Sequence, residues 1–306
     1  MRVSTSFRAL AAPLLYEVME WKDMEQDPLQ VLNKGKALRG RNAQWLTMIT
    51  EVRHIRMVNF RPHDREECCK TGKLIRQRPI NMPILKVNLS DCQGGSVLEY
   101  NHGECRECPL MLDFAPRKVV ITSHGNYDES RPTYSRYAAV EELVFSVNLR
   151  QSDRRYFYSS LNGQAKRLVI ILSLANYAAI LGSARLSPDD CLTRDMTNLA
   201  ESVAWSTLSR NSASEIMMVD FDASNQKLSG NAKACFEPAL QRVMKEGIRW
   251  LECLGPSDKS YYKSSAEFAL VTPKFITMRE YLTNHDWEGV YTKTEVEKML
   301  KEDVEE

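Results

Sequence analysis

Short runs of β-branched and aliphatic residues recur along the chain, each closed by turn-forming residues. They are HIRMVNF (54–60), ILKVNL (84–89), RKVVITS (117–123), VEELVFSVNL (140–149), KRLVIILSL (166–174), EIMMVDFD (215–222) and FALVTPKFITM (268–278). Valine and isoleucine dominate these runs, as strands buried on both faces require. Two longer segments follow a helical period instead. In the first, Asp189 and Asp190 stand behind Pro188, and Leu192, Met196, Leu199 and Val203 then fall on one side. The acids favour the positive end of a helix dipole. In the second, Phe236, Leu240, Val243 and Leu251 share a side, and Pro238 is placed in the first turn, where a missing N–H is tolerated.

Each helical segment is followed by a strand. A strand, a long crossover and a strand again means parallel pairing. The fold class expected is therefore α/β, with a mainly parallel sheet and crossover helices. In the first half the strand runs begin at 54, 84, 117, 140 and 166. That spacing is close to a leucine-rich-repeat period, although the leucine and asparagine consensus of such repeats is absent. The arrangement expected is leucine-rich-repeat-like, and a doubly wound open sheet is the alternative.

The C-terminal stretch FITMREYLTNHDWEGVYTKTEVEKML predicts a strand or short helix, a turn at Asp286–Gly289 and a last helix. Thr292 and Glu295 match a capping box, with Val296, Met299 and Leu300 as the apolar face. The chain thus divides into four regions: 1–21, a helix remnant and first strand; 22–53, a polar connector; 54–282, the α/β domain; and 283–306, a C-terminal turn and capping helix.

Composition narrows the function classes. Of 306 residues, 43% are hydrophobic and 26% charged, which is ordinary globular chemistry. With 41 basic and 40 acidic residues the net charge is +1, so no electrostatic footprint for nucleic acid exists. No apolar run approaches the ~18 residues that span a bilayer, and a membrane is not expected as a partner. Eight cysteines in a chain of this length do not make a disulfide scaffold. They place the chain in a reducing compartment, cytoplasmic or nuclear.

Candidate chemistry is sparse. NHGECRECP spaces His102, Cys105 and Cys108 as H-x2-C-x2-C, three of the four ligands that a zinc site needs. A loop with unpaired thiols is the competing reading. No G-x-S-x-G elbow, HExxH helix or phosphate loop is present. NKGKALRGRN carries a basic patch, Lys34, Lys36, Arg39 and Arg41, that reads as a solvated loop. An enzyme would have to use strand ends. The groups there are His124 with Asp128 and Glu129, the pair Glu141 and Glu142, or Asp220 and Asp222, which alternation would point to one side. Arg154 and Arg155 beside Tyr156, Phe157 and Tyr158 are the residue types that anchor protein interfaces, with Arg155, Tyr156 and Tyr158 the contact candidates.

The segment VSTSFRALAAPLLYEVMEW (3–21) resembles the closing part of an F-box followed by the first strand of its substrate domain. The matching residues are Val3, Ser4, Ser6, Phe7, Leu10, Ala11, Pro13, Leu14, Leu15 and Tyr16. HIRMVNFRPHDREECC, CPLMLDFAPRKVVITSHG and the C-terminal stretch are similar to a fungal family of F-box-like proteins, across most of the chain. The resemblance implies a non-catalytic substrate receptor of a cullin-type ubiquitin ligase, or a degenerate relative. Phe7, Leu10 and Leu14 would face a Skp-type adaptor, and the sheet would hold a protein substrate. Residues 3–16 would then be the tail of a motif whose earlier helices are missing from this chain.

Overall fold

Strands as rich in β-branched residues as these are stabilised by pairing along both edges and by cover on both faces. The computed structural model describes residues 18–21, 57–60, 80–88, 114–124, 140–148, 165–173, 188–208, 210, 213–221 and 231–302. Their strands are β1 (Val18–Trp21), β2 (Met57–Phe60), β3 (Ile80–Asn88), β4 (Phe114–His124), β5 (Val140–Asn148), β6 (Ala165–Ser173), β7 (Glu215–Val219) and β8 (Lys274–Ile276). The helices are α1 (Pro188–Thr207), α2 (Ala232–Cys253), α3 (Pro256–Lys259), α4 (Ser265–Ala269), α5 (Met278–Asn284) and α6 (Lys293–Glu302).

The eight strands form one sheet, every pair is parallel, and the order in space is the order in sequence. The α/β class and the parallel pairing are as expected. The doubly wound alternative is overturned, because that topology requires the strand order to reverse at a switch point and this order never does. The crossover helices α1 and α2 lie on the same face of the sheet as each other. Leu192, Met196, Leu199 and Val203 of α1 and Phe236, Leu240, Val243 and Leu251 of α2 are all buried there. They meet Leu85, Val119, Leu143, Leu168, Ile170 and Ile216 of the strands.

Three local expectations change. Pro238 is not in the first turn of its helix but well inside it. Asn231 starts α2 earlier, accepting the Ala234 N–H at 2.8 Å, so the proline removes one internal hydrogen bond from an otherwise continuous helix. The run 268–278 is not one strand. Ser264 and Glu267 form a reciprocal capping box that winds α4 through Ala269. Only Lys274–Ile276 remains extended before Thr277 caps α5. Finally, β7 stops at Val219 rather than running to 222, because Asp220 adopts φ +66° and leaves the strand direction.

The opposite face of the sheet is covered by the C-terminal stretch. Tyr281 and Leu282 of α5, Val290 of the turn and Val296 of α6 bury against Ile84, Val120, Val144, Val169, Ile171, Met217 and Val219. The expected capping box is present: Thr292 N and Oγ1 donate to Glu295 Oε2 at 2.6 and 2.8 Å, and Glu295 N donates back to Thr292 Oγ1 at 3.3 Å.

Candidate functional site: an ion ladder under the C-terminal strap

Parallel register aligns residues of equal rank on neighbouring strands. Ile84, Lys118, Glu142, Arg167 and Glu215 stand in one row across β3 to β7. Apart from Ile84, the row alternates in sign. Lys118 Nζ lies 3.2 Å from Glu142 Oε1, Arg167 Nη1 3.2 Å from Glu142 Oε2, and Arg167 Nε 2.8 Å from Glu215 Oε2. The ladder runs from dry to wet: side-chain exposure is 5% at Lys118, 13% at Glu142, 39% at Arg167 and 46% at Glu215. At the exposed end, the hydrogen bond from Arg167 to Glu215 raises the Arg167 pKa above its ordinary value. The ladder balances itself, two cations against two anions.

The turn between α5 and α6 is tied to this face by lysines. Lys118 Nζ donates to the Asp286 carbonyl and lies 3.5 Å from its carboxylate Oδ2. The same carbonyl accepts the Tyr281 hydroxyl at 3.3 Å. In the next row on the same face, Lys86 Nζ donates to the Val290 carbonyl at 3.4 Å. Burial lowers the Lys86 pKa, and the Glu295 carboxylate partly offsets that. Tyr281 and Tyr291 are held well above the usual phenol range, chiefly by burial, with Glu142 adding to it at Tyr281 and Asp220 at Tyr291. Between the lysines the backbone turns at Gly289, with φ +82°. A Cβ there would lie 2.7 Å from Ile84 Cγ2, so both the dihedral and the close approach call for glycine.

This arrangement binds a turn of chain; it does not gather reacting groups. Among the described residues, the strand-end groups expected for an enzyme stand on separate strands. His124 ends β4 and Asp220 follows β7, three strand spacings or ~14 Å apart. Asp128, Glu129 and Asp222 lie outside the described residues. Glu141 and Glu142 are not a pair: neighbours in a strand point to opposite faces. Glu141 meets Arg117 in solvent at 3.2 Å, while Glu142 enters the ladder. Other candidates also lie outside the described residues: His102, Cys105 and Cys108 for zinc; Phe7, Leu10 and Leu14 for an adaptor; Arg155, Tyr156 and Tyr158 for an interface; and the basic patch at 34–41. Among the described residues no group of three or more His, Cys, Asp or Glu gathers to hold a metal ion, and no helix is long and apolar enough to cross a membrane.

Two features were missed from the sequence. Each ladder residue stands near the start of an apolar run, in RKVV, VEELV, KRLVI and SEIMM, and the signs alternate from run to run. That signal was available once the strands were aligned in order. The second is an aromatic cluster on the outer surface of the helices. Trp205 and Trp250 meet edge to face at 5.6 Å and Trp250 meets Tyr262 at 5.1 Å, with Trp205 39% and Trp250 38% exposed. No protein-family model, curated protein or solved structure matches the chain.

Proposed function

We propose that this chain is a non-catalytic protein-interaction domain, built in a leucine-rich-repeat-like way and serving as an F-box-like substrate receptor of a cullin-type ubiquitin ligase or as a degenerate relative of one. The observation that carries the reading is the strand order. A parallel sheet wound in one direction, each strand beside its sequence neighbours, is the topology by which solenoids extend a binding surface unit by unit. A receptor of that kind presents surface and needs no reacting groups of its own. Further support comes from the N-terminal segment: β1 opens the sheet two residues after Tyr16, where the F-box resemblance places the first strand of a substrate domain.

The adaptor arm is the part to test. The chain is prepared with only the earlier helices of an F-box fused ahead of residue 1, so that residues 3–16 complete the motif, with and without Leu10→Glu and Leu14→Glu, and each form is incubated with a purified Skp-type adaptor. The fused chain is expected to capture the adaptor and the double variant to lose it, because a carboxylate in an apolar docking groove is left unpaired. Capture that is indifferent to both substitutions, or no capture by any form, removes the adaptor-facing role of residues 3–16.

A further inference from the structure

The face opposite the crossover helices is filled by residues of the same chain, and the manner of filling resembles recognition of a ligand. We infer that α5, the 286–291 turn and α6 form a displaceable strap, an intramolecular occupant of the surface on which the sheet receives a peptide of similar chemistry. That chemistry is an acidic residue followed three and four positions later by glycine and an aliphatic residue, as in Asp286-Trp287-Glu288-Gly289-Val290-Tyr291. The inference rests on the reading of the chain as an interaction domain and names the regulation of that domain.

Three observations carry it. First, the strap follows the last strand. Among the described residues its departure breaks no strand pairing, whereas α1 and α2 are each threaded between two described strands. Second, the charged ladder below it survives its loss. Lys118 keeps Glu142 at 3.2 Å, Glu142 keeps Arg167, and Arg167 keeps Glu215, so no ladder charge is orphaned when Asp286 withdraws. A fully buried lysine whose sole partner lay on the strap would instead lock it down. Lys86, which does face Glu295 of the strap, is only half-buried and regains water as the strap leaves. Third, the contacts are those of a peptide-binding face. Two lysine ammonium groups grip the Asp286 and Val290 carbonyls, Asp286 Oδ2 adds a charge, and Val290 is buried with Gly289 lying flat on Ile84. The uncovered face would be Val120, Val144, Val169 and Met217 in one row, with Lys86 at its end, a strip fit for an aliphatic side chain beside an acid.

The experiment uses the full chain and a fluorescent synthetic peptide of residues 284–302. Gly289→Val, whose side chain cannot share space with Ile84, dislodges the strap in cis. The peptide is expected to bind the Gly289→Val chain at least tenfold tighter than the unsubstituted chain, and to lose that binding when Lys118→Ala is added. Native-state hydrogen exchange on the unsubstituted chain gives the second reading. The amides of 278–302 are expected to exchange through an opening of their own, ahead of β4 to β6. The inference is overturned if the folded Gly289→Val chain ignores the peptide, or if the strap amides exchange only with global unfolding. Should Gly289→Val fail to fold, the exchange pattern decides alone. Neither readout involves the adaptor, so a failure here is distinct from a failure of the adaptor experiment.

Discussion

The two faces of the sheet use the same strands and are held by different chemistry. On the helix side the contacts are apolar and rich in rings: Phe236 is fully buried and meets Phe221 and Phe275 edge to face, at 5.4 and 6.1 Å. On the strap side an apolar strip is flanked by lysines that hold carbonyls and by a tyrosine that donates to one. The difference follows from connectivity. Crossover helices are committed to their face by the strands on either side of them, and unspecific burial is enough to hold them. The segment after β8 leads into no further described strand, and its register on the sheet is marked by directional contacts, which are specific and individually modest.

The contrast predicts unequal responses to substitution. The largest loss is expected from Phe236→Ala on the helix side, about 3–5 kcal/mol of unfolding free energy in urea titration, because a large cavity opens among rings that cannot collapse into it. A loss below about 1 kcal/mol would mean the helix face is no better packed than the strap face. Next comes Lys118→Ala, at about 3 kcal/mol, since it removes a buried cation from Glu142 and frees the Asp286 turn together. Its diagnostic is regional: hydrogen exchange should rise in 278–302 more than in α1 or α2. Gly289→Ala should cost about 2 kcal/mol through the positive φ and the contact with Ile84. Its effect too should be confined to the strap.

Smaller again is Thr292→Ala, which removes the α6 cap at a cost of about 1 kcal/mol, read as a shift in the urea midpoint at unchanged slope. The weakest signal is in pH. Hydrogen bonds from Thr292 and Ser264 hold the Glu295 and Glu267 carboxyls below the usual carboxylate range. A carboxyl whose folded pKa is depressed contributes stability above its unfolded pKa and loses it as pH falls through the folded value. Stability should therefore decline slightly below pH ~4.5, and Thr292→Ala should remove only the hydroxyl's part of the Glu295 share, because the backbone N–H of residue 292 still donates to that carboxylate. An unchanged acid limb in Thr292→Ala would mean the Thr292 hydroxyl makes no bond to Glu295 in solution.

Much of the helix side was legible in the sequence. The buried positions of α1 and α2 are the ones that helical periodicity marks, because a single stripe must face the sheet. The capping box at Thr292 and Glu295 was also readable, since its geometry is local and needs only four residues. Less was legible where local signals compete. FALVTPKFITM is rich enough in apolar residues to pass for a strand, yet Ser264 and Glu267 just before it nucleate a helix, and only Lys274–Ile276, beyond Pro273, pairs with the sheet. For the site, Glu142 was visible as a carboxylate and given the wrong partner. Lys118, Arg167 and Glu215 carried no signal of their own, since a charge beside an apolar run is ordinary until the neighbouring runs are laid in register.

By itself the chain's pattern of apolar residues determined parallel strands buried on both faces, helices between the later ones, and a capped C-terminal helix. These depend on contacts within a few residues or on a period that any window reveals. Only the tertiary structure decided that the strands follow one another without reversal, that Lys118, Glu142, Arg167 and Glu215 form one ladder, and that the C-terminal stretch lies on the face the helices leave free. Register aligns residues 24, 25 and 48 positions apart in the chain. No local period encodes that alignment; it arises when hydrogen bonding between strands and burial of their two faces are satisfied together.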